Sequence, residues 1–199
     1  MIQLNEVHYI GEGDIRVCYE HPHDKTLCIK VPRPETTRAY TEKELLYFKK
    51  LSKRSKEKFS YPFYSDFHKE VETNYGLGQV FDLVRDEANG DISKTLEFYL
   101  THESAITDSQ IEAALELLRA QMIKHRVFTR DLRARNICCK IKKDGTIELI
   151  IIDGIGHRDF FPFADWLTYF SKKKIDRTFT KWHFNSLAEQ REFLNRKKI

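Results

Sequence analysis

The stretch from Ile137 to Asp153 constrains the fold of this chain more than any other. Two largely apolar runs, Ile137–Lys143 and Thr146–Ile152, flank Asp144-Gly145, the dipeptide that most readily supplies the positive φ angles of a tight turn, so the segment predicts a β-hairpin. With a two-residue loop, Lys143 pairs with Thr146, and counting outward along both strands sets Asn136 directly opposite Asp153 at the open end. Residues so opposed have Cβ atoms about 4.5–5.5 Å apart and share one face. A carboxylate and an amide oxygen converging there make a hard-oxygen site suited to Mg²⁺, which takes carboxylate, carbonyl and water ligands. The alternative is that Asn136 caps a strand while Asp153 opens a turn with Gly154.

A second acid precedes the hairpin, in Arg130-Asp131-Leu132-Arg133-Ala134-Arg135-Asn136. Catalytic groups concentrate in loops held on a rigid scaffold. One carboxylate among three arginines can orient a hydroxyl while guanidiniums hold phosphate oxygens; the plainer reading is a surface Asp–Arg pair of little energetic weight. The helix leading into this loop starts at Thr107, which forms a capping box with Gln110, and runs to about Lys124. Its Ile111, Leu115, Leu118 and Met122 lie on one stripe, which marks a core face.

The N-terminal part reads as strands. Val7–Ile10 and Ile15–Glu20 flank Gly11-Glu12-Gly13-Asp14, Thr26–Val31 follows, and Pro32 and Pro34 end it. Glu42–Arg54 is a predicted helix and Gly76–Val84 a further strand. The polar segment Arg85–Asp91 is the best candidate linker, dividing an N-terminal part, 1–84, from a mainly helical part, 85–199. Gly11 and Gly13 can lay backbone amides over phosphates, although a plain hairpin turn explains them equally. Lys30 falls on the strand face opposite Ile29, where a solvent-facing lysine is the simplest account. Glu44 shares a helical row with Phe48 and Leu51, which buries its carboxylate unless it is paired, and Lys30 is the obvious partner.

Glycine-rich hairpin, strand lysine, helix glutamate, D-x-x-x-x-N loop, hairpin and Asp-Gly is the order of parts in protein kinases. The resemblance runs from Val7 to Gly154. More closely, the chain resembles the YrbL family of PhoP regulatory network proteins, which is related to the kinase-like fold. The residues carrying this are Gly11-Glu12-Gly13, Leu27-Cys28-Ile29-Lys30, Asn74-Tyr75-Gly76-Leu77-Gly78, Asn89-Gly90-Asp91-Ile92-Ser93, Asp131–Ile137 and Ile152-Asp153-Gly154. The fold expected is therefore α+β, a protein kinase-like two-lobed fold with a reduced C-terminal lobe.

Carried onto this sequence, the resemblance implies that Lys30 holds the α/β-phosphates of ATP and pairs with Glu44. Gly11 and Gly13 form the lid, where Arg16 replaces a third glycine and can add a phosphate contact. Asp131 accepts the substrate hydroxyl proton, Arg133 takes the place of a lysine on the transferring phosphate, and Asn136 and Asp153 hold Mg²⁺. Adenine is expected against backbone near Asp82–Arg85. Departures are Thr129-Arg130-Asp131 for His-Arg-Asp and Asp153-Gly154-Ile155, which lacks the phenylalanine whose packing switches many kinases. Only residues 154–199 follow Asp153, without Ala-Pro-Glu, so a peptide-docking platform is not expected. The activity expected is an atypical kinase moving the γ-phosphate of Mg-ATP to a hydroxyl of a protein or small molecule. The alternative is a nucleotide-binding pseudokinase acting as a regulator.

Composition narrows the remainder. With 41% hydrophobic and 13% aromatic residues the chain folds rather than staying disordered. The formal charge of +4 is too small to mark a nucleic-acid surface. Trp182, Phe179 and Phe184, interleaved with Lys181 and His183, are better read as the anchor of a last helix capped by Ser186 and Glu189 than as a base-stacking platform. A further short helix is expected from Pro162 through Trp166 to about Phe170, with Phe160, Phe161 and Phe163 packed beside it. The four cysteines, Cys18, Cys28, Cys138 and Cys139, make no C-x-x-C pair, and His21-Pro22-His23 reads as a turn before it reads as a metal pair. No leader-like start and no long apolar run are present, so a cytoplasmic protein with no membrane span is expected.

Overall fold

Two buried runs, Cys28–Val31 and Gly78–Phe81, form the centre of the sheet of the N-terminal half in a computed structural model that describes residues 1–54, 63–156 and 168–196. The chain divides into two units, Met1–Lys58 with Ser65–Arg85, and Phe59–Tyr64 with Asp86–Ile199. The first holds β1 (Tyr9–Glu12), β2 (Arg16–His21), β3 (Asp24–Pro32), α1 (Arg38–Arg54), β4 (Phe67–Thr73) and β5 (Gly76–Asp82). Its strands form one antiparallel sheet in the order β1-β2-β3-β5-β4.

Both faces of β3 are covered. Ile29 and Val31 join Leu4 and Val80 in a buried cluster on one face. The N-terminal segment that brings in Leu4 is clipped by Asn74, which donates to the Leu4 carbonyl at 2.9 Å and accepts from the Leu4 amide at 2.7 Å. On the other face Phe81 meets Phe48 of α1 and Phe67 of β4, with ring centroids 5.7 and 5.6 Å away. Lys30 lies on this second face and is only 7% exposed, which corrects the reading of a solvent-facing strand lysine. The helix supplies Thr41, Glu44, Leu45, Phe48 and Leu51, all buried at the three- and four-residue spacing of one helical face.

The second unit contains α2 (Leu96–Thr101), α3 (Asp108–His125), β6 (Ile137–Ile141), β7 (Ile147–Ile151), α4 (Thr168–Lys181) and α5 (Leu187–Arg196). The capping box at Thr107 and Gln110 opens α3 as expected, and Ile111, Leu115, Leu118 and Met122 are buried. Ser186 Oγ accepts from the Glu189 amide at 3.2 Å at the start of α5. Arg119 of α3 grips Asp176 of α4 at 2.7 Å. The segment read as a linker is anchored along its length: Asp86 is buried and its Oδ1 accepts from Ser93 Oγ at 2.6 Å and from the Ile141 amide at 2.9 Å, and the Glu87 amide donates to the Ile141 carbonyl at 2.8 Å.

The hairpin forms, but its register differs from the expected one. Ile137 faces Ile151 and Ile141 faces Ile147, and the Lys142 amide donates to the Thr146 carbonyl at 2.8 Å. The loop is therefore three residues, Lys143-Asp144-Gly145, with Gly145 in the left-handed region at φ 79°. Asp144 closes it by accepting from the Thr146 amide and hydroxyl at 3.0 and 2.6 Å, a side-chain turn that competes with the two-residue alternative. Asn136 consequently aligns with Ile152, whose amide donates to the Asn136 carbonyl at 2.9 Å, and Asp153, the expected partner, lies one residue beyond the observed one. The helix read from Pro162 to Phe170 lies mostly outside the described residues, as do Phe160, Phe161, Phe163 and Trp166. Within the described residues no helix is long and apolar enough to cross a membrane.

Candidate functional site

Candidate chemistry is distributed over both units. In the first, strand register fixes which side chains share a face. Cys18 pairs with Lys30 and Lys30 with Gln79, so Arg16, Lys30, Gln79 and Phe81 all project to the α1 side. There the structure sets Arg16 on Glu44: Nη1 donates to Glu44 Oε2 at 2.7 Å and to Gln79 Oε1 at 3.1 Å. Both ionic side chains are about 5% exposed or less. Lys30 Nζ lies 4.3 Å from the Phe81 ring centroid, and Arg16 Cζ lies 5.8 Å from it. The Glu44 carboxylate foreseen for Lys30 therefore receives Arg16. The residue read as a third lid position is a buried partner, and Gln79 was not foreseen at all.

Gly13 in the lid donates its amide to the Arg16 carbonyl at 2.9 Å. Neither Gly11 nor Gly13 has left-handed backbone, and a methyl group at Gly11 would meet open space. These glycines leave the turn bare rather than satisfying a packing need. At the segment expected against adenine, the Asp82 amide donates to Asp66 at 3.1 Å and the Leu83 amide to Thr26 at 2.7 Å, so the sheet uses both groups. Cys28, on the Lys30 face, is held well above the usual thiol range by its hydrogen bond with Cys18 and by burial. Burial also raises Cys139. Neither is a thiolate nucleophile at neutral pH.

The second unit holds the acidic loop. Leu132 and Ala134 are buried, and their alternation with Asp131 and Arg133 turns the two charged side chains outward from the core. A short 3-10 turn, Ala134–Asn136, delivers Asn136 to the start of β6. Asn136 Nδ2 donates to the Asp131 carbonyl at 3.2 Å. That contact fixes the amide orientation, because only the NH₂ end can donate to a carbonyl.

The same loop is zipped to the turn after β7. The Gly154 carbonyl accepts from Thr129 Oγ1 and from the Arg130 amide, each at 2.8 Å. Thr129 Oγ1 accepts in turn from the Asp131 amide at 3.1 Å, and Thr129 and Ile155 form an antiparallel bridge. Gly154 has φ 75°, and a Cβ there would lie 2.9 Å from Asp131 Cβ and 3.0 Å from the Asp131 carbonyl oxygen. Only glycine meets both conditions. The turn is completed by Asp153 Oδ1, which accepts from the Gly154 amide at 2.7 Å. Thr129, read from sequence only as a departure from His, is thus the hydroxyl that couples the two segments.

Arg133 lies on the Asp131 carboxylate. Its Nε is 2.7 and 2.9 Å from the two carboxylate oxygens and its Nη2 reaches Oδ2. The pair is about a quarter exposed on each side. Arg133 Cζ also lies 5.6 Å from the Trp182 ring centroid, a contact that sequence spacing did not indicate. The rings of His21 and His23 lie 6.0 Å apart. Among the described residues, no three His, Cys, Asp or Glu side chains gather as a metal group.

An antiparallel sheet with a covering helix, and a second unit whose acidic loop is locked to an Asp-Gly turn, define an α+β protein with its charged residues organised around two segments. A family profile described as "PhoP regulatory network protein YrbL" matches residues 2–185, and the chain belongs to that family. "Uncharacterized protein YrbL" of Escherichia coli (strain K12) is 30% identical over 185 residues, covering 92% of this chain and 86% of that protein. The protein of the same name from Shigella flexneri matches to the same extent.

Proposed function

We propose that this protein is a kinase-like phosphotransferase that moves the γ-phosphate of Mg-ATP to a hydroxyl acceptor, and that its two units are the two lobes of a kinase-like fold. The observation that carries this reading is the lock between the acidic loop and the Asp-Gly turn. A chain that needed Asp131 only as a surface charge has no use for Gly154 packed against its Cβ, or for Thr129 tying the two backbones. Phosphoryl transfer does, because its catalysis is mostly positioning of an acceptor acid and of groups that neutralise phosphate charge.

Asp131 orients the acceptor hydroxyl and receives its proton. Lys30 and the bare lid at Gly11 and Gly13 serve the phosphates, and the Arg16–Glu44 pair holds α1 on the sheet face that carries Lys30. Asn136 and Asp153 fit a magnesium ion by donor chemistry. The Asn136 NH₂ is spent on the Asp131 carbonyl, which leaves Oδ1 as the acceptor end, and Asp153 is a carboxylate. Two hard oxygens suffice for an ion that keeps water and phosphate in the rest of its shell. When bound, the ion supplies neutralisation of phosphate charge.

One observation favours a second reading, a nucleotide-binding regulator with little turnover. Both Asp131 oxygens are engaged by Arg133, so the acid is covered unless that arginine moves onto phosphate. An ATP-consumption assay over a panel of small-molecule and peptide hydroxyl acceptors, run beside ATP-binding measurements, separates the two. Magnesium-dependent turnover that is lost in Asp131→Asn supports the transferase. Binding without turnover across the panel supports the regulator, and absence of nucleotide binding contradicts both.

A further inference from the structure

We propose that Trp182 is a positioning residue for the acidic loop: its indole face backs the Arg133 guanidinium and keeps it on the Asp131 carboxylate. The role in turnover rests on the phosphotransferase reading; the contact itself does not.

The geometry starts at the end of α4. Its last turn closes through the Trp182 amide on the Thr178 carbonyl at 3.2 Å, the His183 amide on Thr180 at 3.1 Å and the Phe184 amide on Phe179 at 2.9 Å. His183 takes left-handed backbone at φ 60° to make that turn. Phe179 and Phe184 are buried, with ring centroids 6.1 Å apart, and the His183 ring lies 4.6 Å from Phe193 of α5. The backbone carrying Trp182 is therefore pinned on both sides. Its ring then has two cationic neighbours, Arg133 Cζ at 5.6 Å and Lys181 Nζ at 4.9 Å from the centroid. Arg133 reaches Asp131 with its Nε and Nη2 edge, so one planar group serves a carboxylate along its edge and lies near an aromatic ring. Arginine combines these two contacts where lysine cannot.

A buried Trp182 Nε1–H that hydrogen-bonds nothing among the described residues adds a second observation. A tryptophan selected for packing at a helix end normally satisfies that donor or is replaced by phenylalanine. Here the N–H finds no partner among the described residues while the ring lies near two cations, so the ring face is the part of the indole that makes the directional contact, and tryptophan is the strongest of the aromatic partners for a cation.

The chain has only two tryptophans, Trp166 and Trp182, so two indole N–H signals in a ¹H–¹⁵N spectrum are assigned with Trp166→Phe. The contact predicts that Arg133→Ala displaces the Trp182 indole signal, and that Asp131→Asn, which removes the carboxylate holding the guanidinium, displaces it too. Lys181→Ala supplies the comparison for loss of the other cation. In turnover, Arg133 held on the carboxylate covers Asp131, so Trp182→Leu, which loosens that hold, raises kcat by about three- to tenfold with the KM for ATP unchanged, and Trp182→Phe, which keeps an aromatic face, stays near the wild type. An indole signal unmoved by Arg133→Ala overturns the proposal whatever the protein catalyses. A Trp182→Leu variant with wild-type kcat, or a Trp182→Phe variant shifted as far as Trp182→Leu, also overturns it. Absence of wild-type turnover rejects the phosphotransferase reading instead, and the spectra still decide whether Trp182 holds Arg133.

Discussion

Two arginine–carboxylate pairs in this molecule invite comparison. Arg16–Glu44 lies between a sheet and its covering helix, almost wholly buried, with Gln79 sharing the guanidinium. Arg133–Asp131 lies on a loop, about a quarter exposed, with a bidentate grip and Trp182 near the guanidinium. The chemistry of the two contacts is the same and their surroundings are not. A buried pair must stay intact, because removing one partner strands a charge in a medium that cannot solvate it. A partly exposed pair contributes little to stability and can be exchanged for a ligand at small cost. The first is suited to structure and the second to function.

Substitutions sharpen that contrast. The largest effect on stability is expected from Glu44→Ala, which leaves the Arg16 guanidinium buried without its carboxylate and costs about 3–5 kcal/mol. Urea unfolding reads this as a lower midpoint at unchanged slope, and a loss below about 1 kcal/mol would erase the distinction between the pairs. Next is Gly154→Ala. Left-handed backbone at a non-glycine residue costs about 1–3 kcal/mol, and the new methyl group also presses on Asp131. Wild-type stability in that variant would show that the two segments are not packed as described.

Asp131→Asn should change unfolding free energy by no more than about 1 kcal/mol, while lowering ATP turnover by about 10²- to 10⁴-fold. The reverse pattern, large instability with turnover retained, would make Asp131 a second structural pair.

The smallest effect belongs to a pair on the helical unit's surface. Arg191 grips Asp108 at the start of α3 at 2.6 and 2.7 Å and holds its carboxyl below the ordinary value. A carboxyl depressed in the folded state adds stability that is present above its unfolded pKa of about 3.9 and lost as pH falls through the folded value. Asp108→Asn should therefore cost about 0.2–1 kcal/mol at neutral pH. That difference should shrink below about pH 4, when unfolding curves are compared across pH. A difference that grows on acidification would contradict the assignment.

Much of the second unit was readable because its signals are local. Thr107 and Gln110 mark a helix start within four residues, and the stripe from Ile111 to Met122 needs no partner to be recognised. The hairpin was readable in kind but not in register. Asp-Gly serves two- and three-residue loops alike, and the choice was made by the Asp144 carboxylate accepting from Thr146. That one-residue difference removed the derivation that set Asn136 opposite Asp153, although both residues remain beside the acidic loop through other bonds.

Strand β4 was not readable. Its side chains are mostly exposed, so as an edge strand bearing His68, Lys69 and Glu70 it shows no hydrophobic alternation. The partner of Glu44 was misread for a different reason. Spacing indicated that the carboxylate needed a cation, but Arg16 and Lys30 share a sheet face, and only side-chain length and packing around Phe81 decide between them. Trp182 and Arg133 are far apart in sequence, with no pattern to link them.

The central claim, that this chain handles Mg-ATP, is tested most directly by following its thermal unfolding against ATP concentration with and without magnesium. A ligand that binds only the folded state raises the midpoint progressively with concentration. The account predicts such a rise in magnesium for the wild-type protein, absent in Lys30→Ala and in Asp153→Asn. A wild-type midpoint that does not move with ATP, with or without magnesium, would contradict it.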